Sequence, residues 1–293
     1  MEETVMNNYQ IITDSACDLG LDYLKSINVK SVSLTLKFDG EDTELKNDEI
    51  IPKEFYDKMR AGGVAKTSAV NVDGFKCIFE ETLKEGKDIL YLGFSSGLST
   101  TYNSARLAAE ELSEAYPERK IITIDSLAAS TGFGMLVYLV AKKRDEGATL
   151  DEAAEYAKAT IPNLVHWFTV DDLVYLKRGG RVSPAVAFVG GLLGIKPVMH
   201  VDDEGHLVKV TTARGRNAAI KALADKFGET ALDNTKGPVM ICHGDCEEDA
   251  KKLSDIIEST YGVKTDLTVY TGPVIGAHSG PGTLALFYLG KVR

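Results

Sequence analysis

The sequence predicts an α/β protein of two domains, an N-terminal parallel-sheet α/β domain over residues 1-162 and a C-terminal α+β domain over residues 163-293. Three observations carry this. Apolar runs of strand length alternate with helix-spaced segments through the first half, the pattern of a mostly parallel sheet. Three of those runs end in hydroxyl or acidic residues, Thr13-Asp14-Ser15, Ser95-Ser96 and Asp125-Ser126. Past Pro162 the texture changes to a hairpin pattern and longer helices. A length of 293 residues itself favours about two domains.

The elements follow in order. Residues 9–13 form a first strand, and Asp18 is placed to cap a short helix through Leu24. Residues 29–36 alternate apolar and polar side chains, the period of one half-buried strand. An acidic surface loop follows Asp39-Gly40, and Pro52 starts a helix that Gly62-Gly63 ends. Lys66-Thr67-Ser68-Ala69-Val70-Asn71 reads as a hydroxyl-bearing loop before a helix over 73–84 that Asn71 caps. Ile89-Leu90-Tyr91-Leu92 is a buried strand, Arg106 to Leu112 a helix, and 120–124 another strand. A largely apolar helix spans 132–144, and Thr149-x-x-Glu152 is a capping box for the next.

In the second half, 164–170 is a strand and Asp171-Asp172-Leu173 opens a short helix ending at Gly179-Gly180-Arg181. An apolar helix is expected over 185–193. Residues 196–201 and 206–211 flank Asp202-Asp203-Glu204-Gly205, a hairpin signal. Helices over 216–227 and 247–261 alternate with strands over 239–242 and 265–270. The tail, 272–282, holds four glycines and two prolines around His278 and reads as a rigid loop that faces a ligand.

Composition narrows the function. A formal net charge of −10 argues against a nucleic-acid partner, whose phosphates need a basic face. An acidic start without an apolar core predicts no secretory signal, no apolar run reaches the roughly 20 residues of a membrane span, and a cytoplasmic location is expected. The cysteine pair in Cys242-His243-Gly244-Asp245-Cys246 is a single C-x3-C and reads as ordinary strand-end sequence rather than a metal site. No metal and no cofactor are expected.

The chemistry concentrates in Gly93-Phe94-Ser95-Ser96-Gly97-Leu98-Ser99-Thr100-Thr101, where a strand turns into a helix. Helix-end N–H groups and hydroxyls there can cradle a carboxylate or phosphate. No Walker-type lysine accompanies them, which favours a single negative charge over a triphosphate. The same residues satisfy G-x-S-x-G. A serine hydrolase with Ser95 as nucleophile, His278 as base and Asp171 as its orienting acid is therefore the alternative. Against it, the loop carries more hydroxyls than a nucleophile needs, and no HGGG-type loop precedes it. A sugar-phosphate or nucleotide binder would draw on the same loops but lacks their usual glycine signatures.

Taken together, Thr13-Asp14-Ser15, Thr67-Ser68, Ser95-Ser96-Gly97-Leu98-Ser99, Asp125-Ser126, Gly179-Gly180-Arg181, Lys196-Pro197 and Gly276-Ala277-His278-Ser279-Gly280-Pro281-Gly282 run nearly end to end in one order. In this the chain resembles the DegV family, bacterial two-domain proteins that bind a long-chain fatty acid. The resemblance implies a DegV-like fold with a lipid tunnel between the domains. It also implies a non-enzymatic carrier in which Thr67, Ser68, Ser95 and Ser96 hold the carboxylate, His278 lies close by and Arg181 sits near the exposed head group. Some members pass the acid to a separate ATP-dependent fatty acid kinase, and such a partner is implied here. Thr100 stands where the family usually has Gly, and Ala69-Val70 where it usually has Gln-Pro, positions that bear on which acid fits. Physically, a palmitate-like tail of about fifteen methylenes at ~0.8 kcal/mol each offers on the order of 12 kcal/mol of burial. Its carboxylate must then be hydrogen-bonded once it loses water. The apolar helices over 132–140 and 185–193 are candidate tunnel walls.

Overall fold

The structure is a computed structural model that describes residues 8–183, 194–232, 237–291 and 293. The helix expected over 185–193 lies outside the described residues. Through Asp125 the strands are β1 (Tyr9–Asp14), β2 (Val29–Val32), β3 (Thr35–Phe38), β4 (Leu45–Lys46), β5 (Ala65–Ser68), β6 (Asp88–Gly93) and β7 (Ile121–Asp125). The helices of this half are α1 (Leu21–Ser26), α2 (Pro52–Arg60), α3 (Val72–Lys84), α4 (Thr101–Ala115), α5 (Ser130–Asp145) and α6 (Leu150–Thr160). Four strands form a parallel sheet in the order β2-β1-β6-β7, and β4-β3-β5 form a small antiparallel sheet. Asn71 caps α3 by accepting from the Gly74 N–H at 2.8 Å, and the Thr149/Glu152 capping box opens α6 as expected.

From Leu164 onward come β8 (Leu164–Thr169), α7 (Val174–Arg178), β9 (Ile195–Val201), β10 (Leu207–Arg214), α8 (Arg216–Thr230), β11 (Met240–His243), α9 (Glu247–Tyr261), β12 (Leu267–Tyr270), α10 (Pro273–Ser279) and β13 (Leu284–Leu289). Their strands make one mixed sheet ordered β10-β9-β8-β13-β11-β12. Helix α5 is buried on nearly all faces and packs against β8, β11 and β13, so one core runs through both halves. Glycine makes that approach possible at 132, where a Cβ would sit 2.5 Å from the Phe287 ring.

Five expectations change. The single strand over 29–36 is two strands in different sheets, because the chain leaves the parallel sheet after Val32 and the Leu34 N–H donates to Ser15 Oγ at 2.9 Å. The Thr67-Ser68 segment is strand rather than loop, pairing antiparallel with β3. Asp18 does not cap α1, whose N-cap is Gly20; its buried carboxylate accepts from Ser130 Oγ at 2.5 Å. The glycine-rich tail is a helix, since Pro273 suits a first turn and the Gly276 N–H reaches the Gly272 carbonyl at 2.7 Å. Strand β13 is an addition that occupies the middle of the six-stranded sheet, between β8 and β11. Its run Leu-Ala-Leu-Phe-Tyr-Leu has the continuous apolar character of a strand covered on both faces.

Candidate ligand cavity

The C-terminal ends of β1, β6 and β7 lie side by side, as the recurrence of polar residues at those ends predicts. Asp14 organises this edge. Its carboxylate accepts from the Ala16 N–H at 3.1 Å, the Tyr91 hydroxyl at 2.8 Å and the Phe94 N–H at 3.0 Å. Burial pushes its pKa up to about 6 against the pull of those donors. Asp125 plays the matching part beyond β7, accepting from the Ser96 N–H at 3.2 Å and the Leu127 N–H at 3.1 Å.

These contacts hold the 95–99 turn in place from below, and the second half holds it from above. Ser95 is fully buried, and its hydroxyl donates to the Gly205 carbonyl at 2.9 Å while accepting from the Gly97 N–H at 3.2 Å. Gly205 is the turn residue between β9 and β10, with φ of 79°, and a Cβ there would meet Ser95 Oγ at 2.2 Å. Arg181 reaches across to the Leu98 carbonyl through Nε at 3.1 Å and Nη2 at 2.9 Å, and through Nη1 to the Gly179 carbonyl. The first N–H of α4 does not wait for an anion, because Ser99 Oγ accepts from Thr101 N at 3.2 Å.

Beside this turn a cavity of about 480 Å3 opens between the halves, within the usual size range of small-molecule sites. Phe94 and Leu98 line it from the parallel-sheet side, Phe168 and Phe287 from the six-stranded sheet, and Val274 and Ile275 from α10. Thr67, Ser96, Arg181 and His278 all lie on its wall. The Thr67 hydroxyl and His278 Nε2 are 2.7 Å apart. Burial, together with the nearby Arg181 cation, pushes the His278 pKa down to about 4, so the ring is neutral at pH 7. Its Nδ1 abuts Gly179, where a Cβ would come within 2.1 Å.

Two predicted residues stand apart from the wall. Ser68 is exposed, because side chains alternate along β5 and Thr67 takes the inward face. Ser95 is spent on Gly205. The triad of the hydrolase alternative is not assembled: Ser95 bonds a carbonyl, His278 bonds Thr67, and Asp171 pairs with Lys196 at 2.8 Å. Among the described residues no group of three or more His, Cys, Asp or Glu side chains is arranged to hold a metal ion. Cys242 contacts the Ser130 and Thr271 hydroxyls, whereas Cys246 contacts Arg216 and the Thr283 carbonyl. Sequence reasoning missed further polar wall residues, namely Ser99, Thr100, Ser130, His166, Thr271, Ser279 and Thr283. Ser99 and Thr100 carried a signal through their place in the hydroxyl-rich loop, and Ser279 through the glycine motif around His278.

Fold and cavity define the class, an α/β protein with a parallel and a mixed sheet and a cavity whose apolar wall also carries hydroxyls, imidazole and the Arg181 guanidinium. The chain belongs to the DegV family: the family profile, described as an uncharacterised protein of that family, matches residues 8–291. A DegV domain-containing protein of Clostridium perfringens is 42% identical over 289 residues, covering 98% of this chain and 99% of that one. Among solved structures, a DegV family protein from Eubacterium eligens loaded with heptadecanoic acid superposes with a TM-score of 0.85 at 25% identity, covering 97% of this chain and 100% of that chain. A stearic acid-binding protein from Eubacterium ventriosum superposes at 0.84 with 29% identity, covering 96% and 98%. Among the described residues no helix is long and apolar enough to cross a membrane.

Proposed function

We propose that this protein binds one long-chain fatty acid in the cavity between its two domains, which meet near residue 162, and serves as a carrier rather than an enzyme. The observation that carries this is the Thr67–His278 pair on the wall of an otherwise largely apolar cavity. A neutral imidazole that donates its Nε2–H to Thr67 Oγ1 leaves the threonine proton free for an acceptor in the cavity. A carboxylate is such an acceptor, and Ser96 on the same wall supplies a second hydroxyl. Arg181, three of whose N–H groups serve the Leu98 and Gly179 carbonyls, adds a positive field at the cavity wall. Ser95 then acts by shaping the turn, and Ser68 by supporting the strand edge from outside.

The acyl tail supplies most of the affinity, through burial against residues such as Phe94, Phe168 and Phe287. The family resemblance extends this to a cytoplasmic carrier that presents the carboxylate to an ATP-dependent fatty acid kinase. Extraction of the purified protein with organic solvent, followed by mass spectrometry, tests the binding. A stoichiometric fatty acid is expected. Finding none, with none taken up when palmitate is added, would overturn the proposal.

A further inference from the structure

Strand register makes the sheet floor of the cavity uneven. Along β13, Ala285 and Phe287 point to the cavity, while Leu284 and Leu286 point to the core on the other face. Ala285 pairs with Phe168 on β8 and with Cys242 on β11, whereas Phe287 pairs with His166 and Met240. The first of these rungs is therefore low at its centre, a methyl and a thiol beside one phenyl ring, and the second is high. Ala285 keeps 5% of its surface open on the cavity side. Helix α5 lies directly on the high rung, since a Cβ at Gly132 would come within 2.4 Å of His166 Nε2 and 2.5 Å of the Phe287 ring. No acyl chain can pass between helix and rung, so the hollow over Ala285 and Cys242 ends there.

The protons around this hollow are already placed. Ser130 Oγ donates to Asp18 at 2.5 Å, and Thr271 Oγ1 donates to Cys242 Sγ at 3.1 Å. Burial raises the Cys242 pKa to about 11, so the thiol keeps its proton and directs it to Ser130 Oγ, 3.3 Å away. Thr283 donates to the Gly280 carbonyl at 2.7 Å. These protons are spent and unavailable to a carboxylate, in contrast to that of Thr67 beside His278. We propose that the hollow receives the methyl end of the acyl chain and that Ala285 sets the longest chain retained. A longer side chain at 285 fills the hollow, and Phe287 under α5 fixes its far limit. The inference rests on the fatty-acid reading above and specifies which acids the site selects.

A chain-length series tests it. Wild type and variants are offered an equimolar mixture of the even-numbered saturated acids from dodecanoic to eicosanoic, and the retained acids are extracted and quantified by mass spectrometry. Ala285→Leu should shift retention to shorter acids and lower the ratio of octadecanoic to tetradecanoic acid about tenfold, the worth of two methylenes that can no longer be buried. Phe287→Leu, which shortens the end wall, should shift retention to longer acids. Thr67→Val, at the carboxylate, should weaken all lengths alike and leave the distribution as in wild type. An unchanged distribution in Ala285→Leu, or a loss equal at every length, overturns this inference alone. Wild-type protein that retains no acid of any length overturns the fatty-acid reading with it. If Ala285→Leu does not fold by circular dichroism, Ala285→Val, with a smaller shift in the same direction, and Phe287→Leu still decide.

Discussion

Thr67 Oγ1 and His278 Nε2 lie 2.7 Å apart although 211 residues separate them in the chain. One sits on a short edge sheet of the first half and the other on the helix before the last strand. With the ring proton on Nε2, their meeting puts a threonine proton at the disposal of whatever occupies the cavity.

Removing that proton should cost affinity. Thr67→Val should weaken fatty-acid binding about 10- to 100-fold, the range for a hydrogen bond to a charged group, and Thr67→Ser should keep most of it. Combining Thr67→Ala with Ser96→Ala should do far more harm than Asp14→Asn, read by displacement of a fluorescent fatty acid. Equal effects would mean that the carboxylate lies elsewhere.

The protonation state of His278 is open to direct measurement. With its pKa depressed to about 4, the imidazole stays neutral through pH 7 and gains a second proton only near pH 4. A base with a depressed pKa withholds a proton that the unfolded chain takes up, so stability is lost as pH falls from about 6.5 towards 4. Imidazole 15N spectra should show a neutral ring protonated on Nε2 at pH 7. A ring that titrates near 6.5 would contradict this.

Gly179 supports the same histidine by having no side chain. Gly179→Ala places a methyl 2.1 Å from His278 Nδ1 and must displace the ring, so binding should fall about tenfold with little loss of stability. Its neighbour gives the contrast. Gly180 has a φ of 74° with open space around it, so Gly180→Ala should cost about 1 kcal/mol of stability and leave binding intact. Thermal melts and ligand titrations on both variants separate the two effects.

Asp18 should make stability depend on pH. Burial raises its pKa from 3.8 to about 7, so between those values the folded chain keeps a proton that the unfolded chain has lost. Its contribution to stability therefore declines as pH rises through that window. Relative to wild type, Asp18→Asn should gain roughly 3–6 °C in Tm between about pH 5 and pH 8. A constant difference would argue that Asp18 is ionised throughout.

Ser95→Ala should destabilise the protein by about 1 kcal/mol, because the Gly205 carbonyl loses its donor. Binding should fall less than in Thr67→Val. Turnover of acyl esters should be the same in wild type and variant; a turnover lost on this substitution would restore the nucleophile reading.

Much of this molecule was legible in its residues. Strand periodicity, helix caps and proline positions located most elements, because each depends on neighbours within one or two turns. The three polar strand ends were visible for the same reason, and the parallel sheet brings them to one edge. What escaped was long-range. Nothing local distinguishes one strand over 29–36 from two strands in different sheets, since the alternation continues across the break at Ser33-Leu34. The tail read as a loop because its glycines dominate local propensity, whereas packing against Tyr56, whose Oη would lie 2.4 Å from a Cβ at 276, requires a glycine inside a helix.

By itself, then, the sequence determined the class of fold, the order of most elements, the family and the set of hydroxyls from which a binding site could be drawn. Tertiary structure decided which of them face the cavity. Thr67 turns inward and Ser68 outward because β5 pairs with β3 in one register. Ser95 is withdrawn from the site because a hairpin turn more than a hundred residues later offers it a carbonyl. Helix α5 can lie directly on His166 and Phe287, register partners on β8 and β13, because it has a glycine at 132. Such choices depend on strand register and on contacts across the two halves, which burial of a shared core sets and which no short stretch of chain encodes.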